Sequence, residues 1–438
     1  MPPSTPDPST GGADDGLMPP VPSWRRHPVA QGLHCSIAAF GTYACMYGFR
    51  KPFAAGLYVE DPFSPGMKAS LVAAQVLGYT VSKMIGIRVI AEMPTRRRIR
   101  ALLMLIAVAE VAWILFGALP PRFGVVCLFA SGLPLGMVFG LVLGFLEGRR
   151  LSEVFIAALC CSFILADGLA KTVGLGLLQA GTPERWMPAV AGAAFALPLL
   201  IFASMLARVA PPSEIDVQAR TARAPLDRPG RLAFLKRHGA VVGLICLAYL
   251  LITVLRSLRA DFARELWTAL GATGSAAVFT GSESWVALAV LVPMALLART
   301  RDNRKAFDAG LAVSCLGLAT VAGSCLAWRW GAVTPFQFMV LIGAGLYLPY
   351  VAVHAVVFER WIALTRDRAN LGFLMYLADS AGYLGVCGVM LTRGNLVSEG
   401  SILGFFLETG IWISILGIVA VAIAASLSRR ARIGTVDQ

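Results

Sequence analysis

The chain has 438 residues, 57% of them hydrophobic and 14% charged, with a mean hydropathy of +0.71. A soluble domain carries about 25% charged residues, so the composition excludes a soluble enzyme, a disulfide scaffold and a disordered protein. The net charge of +13, from 38 Lys and Arg against 25 Asp and Glu, lies mostly in loops between apolar segments, where orientation in a bilayer accounts for it better than nucleic acid does.

Residues 1–32 are rich in Pro, Ser, Gly and Asp and carry Trp24-Arg25-Arg26 near their end. They are expected to form a disordered cytoplasmic tail. No short apolar run follows Met1, so the tail does not read as a secretory signal. Twelve apolar segments come next, at about 33–56, 68–91, 100–119, 123–146, 152–179, 186–208, 238–268, 276–298, 306–327, 333–359, 370–392 and 403–428. The longest polar interruption, 209–237, contains Pro211-Pro212 and Pro229-Gly230 and divides the segments six and six. The expected organisation is an all-α polytopic membrane protein of twelve transmembrane helices in two six-helix bundles, 33–208 and 238–428. A cytoplasmic loop at 209–237 joins the bundles, and a cytoplasmic tail at 429–438 ends the chain.

Helix 1 places Tyr43, Tyr47 and Arg50 on one face by their i, i+4, i+7 spacing, and ends in Lys51-Pro52-Phe53. Helix 2 places Gln75, Tyr79, Ser82 and Lys83 on one face. Glu110 stands alone in helix 3, where a structural hydrogen bond is expected. Helix 4 carries Gly132, Gly136, Gly140, Gly144 and Gly148, a strip that lets another backbone approach closely. Helix 5 has Asp167 and Lys171 one turn apart, either a mutually neutralising pair or a site that handles protons or substrate.

Helix 7 repeats helix 1: Tyr249, Thr253 and Arg256 each stand 206 residues after Tyr43, Tyr47 and Arg50. Two repeating six-helix halves with a site between them at mid-membrane depth are the mark of a transporter. Arg259, Asp261, Arg264 and Glu265 follow toward the outer end, where solvated pairing among themselves is expected. Glu283 in helix 8 is expected to make a structural hydrogen bond. In helix 10, Pro349 between Tyr347 and Tyr350 predicts a bend, and His354 reads as a satisfied packing residue rather than a proton relay. Helix 11 sets Tyr376, Asp379 and Tyr383 on one face with no local base. Asp379 is a proton carrier, the partner of Lys83, or the contact for a substrate amine.

Arg50 and Arg256 are the leading candidates for binding. A guanidinium fork matches two oxygens of a phosphate or carboxylate and keeps its charge at any working pH. Two of them on related helices would clamp one dianion, with Tyr43, Tyr47, Tyr79 and Lys83 beside it; the alternative is that each reaches an interface or pairs with an acid. Asp379, Asp167 and Lys171 are the candidates for coupling or charge pairing.

The basic residues cluster in alternate loops, among them Arg96 to Arg98, Arg149, Arg150, Arg299, Arg301, Arg304, Lys305, Arg366 and Arg368. Both termini are therefore expected in the cytoplasm. Trp186, Trp267, Trp328 and Trp330 fall near outer helix ends, as interfacial anchors. The nine cysteines lie inside apolar segments without a CxxC pair, and the four histidines are far apart. No metal site or cofactor is expected. No helix presents a nucleophile, a base and a third group at usable spacing, so the chain does not read as an enzyme.

The string Met46-Tyr47-Gly48-Phe49-Arg50-Lys51-Pro52-Phe53 resembles the organophosphate:phosphate antiporter branch of the major facilitator superfamily. The likeness continues through Gly78-Tyr79-Thr80-Val81-Ser82-Lys83 and Leu255-Arg256. It implies the major facilitator fold, with Arg50 and Arg256 in the place of that branch's phosphate-binding arginines and Lys83 in that of its helix-2 lysine. Two features depart from it. The loop after helix 2, Gly86 to Arg98, has a displaced acid and no second glycine, and helix 5 has no histidine. Gly345-Leu346-Tyr347-Leu348-Pro349-Tyr350 and Gly372-Phe373-Leu374-Met375-Tyr376 look like a separate, poorly characterised bacterial family within the superfamily.

The reading is a secondary transporter of a small organic anion, an organophosphate or phosphonate, acting by alternating access in a bacterial cytoplasmic (inner) membrane. Its expected partners are that anion and the bilayer, with no nucleic acid, and it is expected to act as a monomer. The alternatives are a proton-coupled carboxylate symporter and a transporter-like membrane sensor of an anion.

Overall fold

The computed structural model describes residues 28–58, 67–91, 93, 95–146, 152–209, 228–272, 275–365, 371–398 and 402–430. Among them the helical segments form twelve rods. These are α1 (Pro28–Gly48), α2 (Met67–Ala91), α3 (Thr95–Ala118), α4 (Gly124–Leu135 with Val138–Leu146), α5 (Ser152–Gln179), α6 (Met187–Ala207), α7 (Arg228–Asp261), α8 (Ala277–Ala298), α9 (Asn303–Arg329), α10 (Pro335–Ala352, Val353–Val357, Phe358–Thr365), α11 (Leu371–Ser398) and α12 (Ile402–Arg430). Helices satisfy every backbone polar group within the segment, which lipid demands. Nine of the rods are, among the described residues, long and apolar enough to cross a membrane.

The helix ends follow local chemistry. Asp302 accepts from the Arg304 and Lys305 amides and starts α9; Thr334 and Gln337 form a capping box with Pro335 at the first position of α10. Pro134 lies at the break in α4, and Val353–Val357 of α10 is a π turn just past Pro349. A π turn is one of the local causes of a helix kink, the kind of feature the bend expected at Pro349 requires.

Several boundaries move. Helix 1, expected to reach 56, stops at Gly48 and resumes as a 3-10 turn at Pro52–Ala55. Helix 7 starts at Arg228, inside the segment expected to be loop, and breaks at Phe262 before a short helix, Ala263–Ala269. The expected N-terminal tail up to residue 27, residues 210–227 of the expected loop and the tail from 431 lie outside the described residues.

Helices α1 to α6 pack among themselves, as do α7 to α12, and α2 against α11 and α5 against α8 join the two groups. The glycine strip of α4 is a packing surface. A Cβ at Gly132 would stand 2.2 Å from the Gln75 carbonyl oxygen, and one at Gly136 would stand 2.5 Å from that of Tyr79. Outward faces carry Met104, Val108 and Val111 on α3, Leu197, Leu200 and Ile201 on α6, and Trp412, Leu416 and Val419 on α12. Such a continuous apolar girdle is suited to lipid and costly in water. Trp186 and Trp330 are exposed at helix ends, as anchors should be. Trp267 is not: it is buried and packs 6.4 Å from Phe336.

Candidate functional site

Between the two helix groups lies a small cavity of about 40 Å³. Its walls include Tyr43, Tyr47, Arg50 and Lys51 from α1 and the turn after it, Tyr79 and Lys83 from α2, and Asp167 from α5. The other half brings Arg256 and Asp261 from α7, Tyr347, Tyr350 and His354 from α10, and Asp379 and Tyr383 from α11. Eight of the nine residues singled out from sequence line it, and the ninth, Lys171, is buried on Asp167.

The two arginines are held alike. The Arg50 guanidinium carbon sits 4.0 Å from the Tyr79 ring centre and 5.9 Å from that of Tyr47. The Arg256 carbon sits 4.4 Å from the Tyr350 ring and 5.8 Å from the Tyr347 ring. A guanidinium over a desolvated aromatic face gains about 2 kcal/mol, which offsets only part of the cost of burial. Among the described residues neither arginine has a carboxylate partner, and the Nε of each is buried without a hydrogen bond. Tyr43 supports the first platform, 5.6 Å from Tyr47 and 5.4 Å from Phe139.

The other charges cancel. Lys83 donates to Asp379 Oδ2, and Tyr249 donates to Oδ1 at 2.5 Å. Lys171 donates to Asp167, and Lys51 donates to Asp261 with Asp167 4.0 Å away. Three lysines thus face three aspartates, and the two guanidiniums are left over as net positive charge in the cavity. Of the alternatives open for Asp379, the geometry selects the Lys83 partnership. Asp167 and Lys171 form the expected pair, with Lys51 as an unforeseen third member.

A further ion pair and a hydrogen bond cross between the halves on the face opposite the chain termini. Lys68 of α2 binds Glu265 at 2.5 Å, and Arg264 donates to the Ala55 carbonyl at 2.7 Å. This corrects the expected pairing along helix 7: Asp261 and Glu265 go to lysines of the first half. Arg259 is not solvated either. It is 1% exposed and donates to Glu283 and to the Met339 carbonyl. Glu283 therefore makes its expected hydrogen bond, as an ion pair. Glu110 does not, since its buried Oε2 has no partner. The partners that Lys51, Lys68 and Glu265 take in the other half gave no signal in sequence, because they are remote. His354, read as packing, borders the cavity and lies 3.4 Å from Asp379 Oδ1. Among the described residues no group of three or more His, Cys, Asp or Glu side chains is placed to hold a metal.

Solved structures with the same fold include a D-xylose-proton symporter, at 17% identity and a TM-score of 0.59 over 89% of this chain and 96% of that one. The nucleoside transporter NupG is similar too, at 13% identity and a TM-score of 0.60 over 90% of this chain and 98% of the other. A comparison with curated proteins gave no match. At such identities the likeness establishes the fold, a multi-pass all-α membrane architecture of the major facilitator type. A family profile, described as a family of unknown function (DUF5690), matches residues 52–430. Spanning most of the sequence from the turn after α1 to the end of α12, that match makes the chain a member of the DUF5690 family.

Proposed function

We propose that the protein is a secondary transporter that carries a small organic dianion, a phosphate monoester or phosphonate, by rocking its two helix groups about the central cavity. One observation carries this reading. Arg50 and Arg256, from opposite halves, are the two cations in the cavity that no acid neutralises among the described residues. Their combined charge matches a dianion, and each keeps a fork suited to paired oxygens. The aromatic walls would hold the organic part. Uptake across the cytoplasmic membrane of a bacterium, with both termini inside, fits the basic loops. One chain supplies the whole cavity, so a monomer suffices.

The test is uptake of labelled phosphate esters and dicarboxylates into proteoliposomes by the native protein, Arg50→Lys and Arg256→Lys. Lysine offers a point charge without the planar fork. Each variant should insert normally and lose most uptake. Uptake of a dicarboxylate but of no phosphate ester would favour the carboxylate alternative. Full activity in both variants would remove the arginines from the site.

A further inference from the structure

His354 lies in the π turn of α10, a distortion frequent at functional sites. Its Nδ1 is 3.2 Å from the Tyr350 carbonyl oxygen, an acceptor, so the hydrogen-bond network puts a hydrogen on that nitrogen. Its Nε2 is 3.4 Å from Asp379 Oδ1 and 3.5 Å from the Tyr249 hydroxyl. Tyr249 gives its hydrogen to the same carboxylate, so it presents an oxygen to the ring. Both ring nitrogens face acceptors. A neutral imidazole satisfies one of them; an imidazolium satisfies both.

The titratable and charged groups around the ring come from several elements. They are Tyr249 and Arg256 of α7, Tyr350 of α10 itself, Asp379 and Tyr383 of α11, and Lys83 of α2. Helix α9 meets the turn at Gly310, and α5 meets α10 through Phe163, with Asp167 held by its lysines. Asp379 thus has two candidate counter-charges. Lys83 holds one oxygen, and the His354 ring edge stands at the other. Lys83 also faces the cavity that the arginines line. An anion bound there competes with Asp379 for its ammonium. Once Lys83 is drawn away, the buried carboxylate needs a new positive partner.

We propose that His354 is the proton site of the transport cycle, a step that rests on the anion reading above. It takes one proton onto Nε2 from the open side when an anion draws Lys83 off Asp379. It returns that proton to water on the other side when the anion leaves and Lys83 comes back. One proton travels with each anion, and no other bond is made or broken.

Two measurements test this. In protein labelled with 15N-histidine, His354→Gln identifies the His354 resonances among the four histidines. Lys83→Met, or Lys83→Gln if the first fails to insert, removes the competing ammonium. At a fixed pH the His354 15N signals should then move toward those of a ring that carries a hydrogen on both nitrogens. An unchanged spectrum overturns the proposal, and this arm needs no substrate. The second arm follows labelled inorganic phosphate in proteoliposomes. Native protein should show both uptake driven by a pH gradient and exchange, whereas His354→Gln should keep exchange and lose gradient-driven uptake. A His354→Gln protein that still concentrates phosphate overturns the assignment. Native protein with neither activity overturns the anion reading and the coupling built on it, a failure distinct from the variant's.

Discussion

Asp379 takes hydrogen bonds at both carboxylate oxygens, from Lys83 on α2 and Tyr249 on α7. Removing one partner of a buried ion pair strands the other charge, which costs about 3–5 kcal/mol. Asp379→Asn should therefore lower thermal stability by that order, and adding Lys83→Met should recover most of the loss. A stable Asp379→Asn single variant would show that the pair contributes little. At this scale the sequence was most readable where partners are close, and the remote Lys83–Asp379 pair stood there only as one of several alternatives. Asp167 and Lys171 were legible because a single turn separates them. Asp261 and Glu265 were assigned to neighbours on helix 7, yet they bind Lys51 and Lys68, 210 and 197 positions away. Helical spacing shows which face a charge occupies, but not which helix that face meets. The carboxylate neighbour of His354 was not legible for the same reason, since it lies on another helix.

The α4 glycines are an element-scale feature that spacing alone revealed. A Cβ on Gly132 would press on the Gln75 backbone, which no rotamer change relieves, so α2 and α4 would have to separate. Gly132→Ala should reduce the folded yield and lower Tm, whereas Gly176→Ala, with nothing within 4 Å of the added carbon, should leave both near the native values. Equal behaviour of the two variants in a thermal unfolding assay would refute the close approach. Helix ends were less legible than helix faces. Arg228, Arg231, Lys236 and Arg237 made the start of α7 look like loop. Polar residues are compatible with a helix that runs past the bilayer into water, so polarity marked the edge of the lipid rather than the end of the helix. At α1 the opposite error arose: apolar residues continue past Gly48, but Pro52 lacks the amide that an unbroken helix needs.

For the molecule as a whole, the 206-residue repeat of Tyr and Arg was the most informative signal, because it predicted two halves meeting at one site. What it did not reveal is how the halves are fastened. Lys51 with Asp261, Lys68 with Glu265, and Arg264 on Ala55 all bridge them on the face opposite the termini. These contacts must break for the cavity to open there. Lys68→Glu should speed labelling of a cysteine introduced at Ser257, which lines the cavity. The labelling reagent is an impermeant thiol reagent applied to that face, in a background lacking the native cysteines. The swap Lys68→Glu with Glu265→Lys should slow it again. Indistinguishable rates in all three proteins would rule out a closing role for the pair. Sidedness has its own check: in intact cells the reagent should reach a cysteine at Ala332 and miss one at Arg301, the reverse result inverting the protein in the membrane.

The unneutralised guanidiniums have a further consequence, for voltage. In the proposed cycle an empty cavity would carry two positive charges through its return step, and a cavity filled with a dianion and one proton would carry a single one. Each charge moved across a full membrane potential involves about 2.3 kcal/mol per 100 mV. A potential negative on the side of the termini therefore acts more strongly on the empty carrier than on the loaded one and holds it facing that side. On the proposed cycle net accumulation would become the electrically slow half, while one-for-one swapping of anions would bypass the empty return. Such a transporter would behave as an exchanger when polarised and release its full unidirectional rate only as the membrane depolarises.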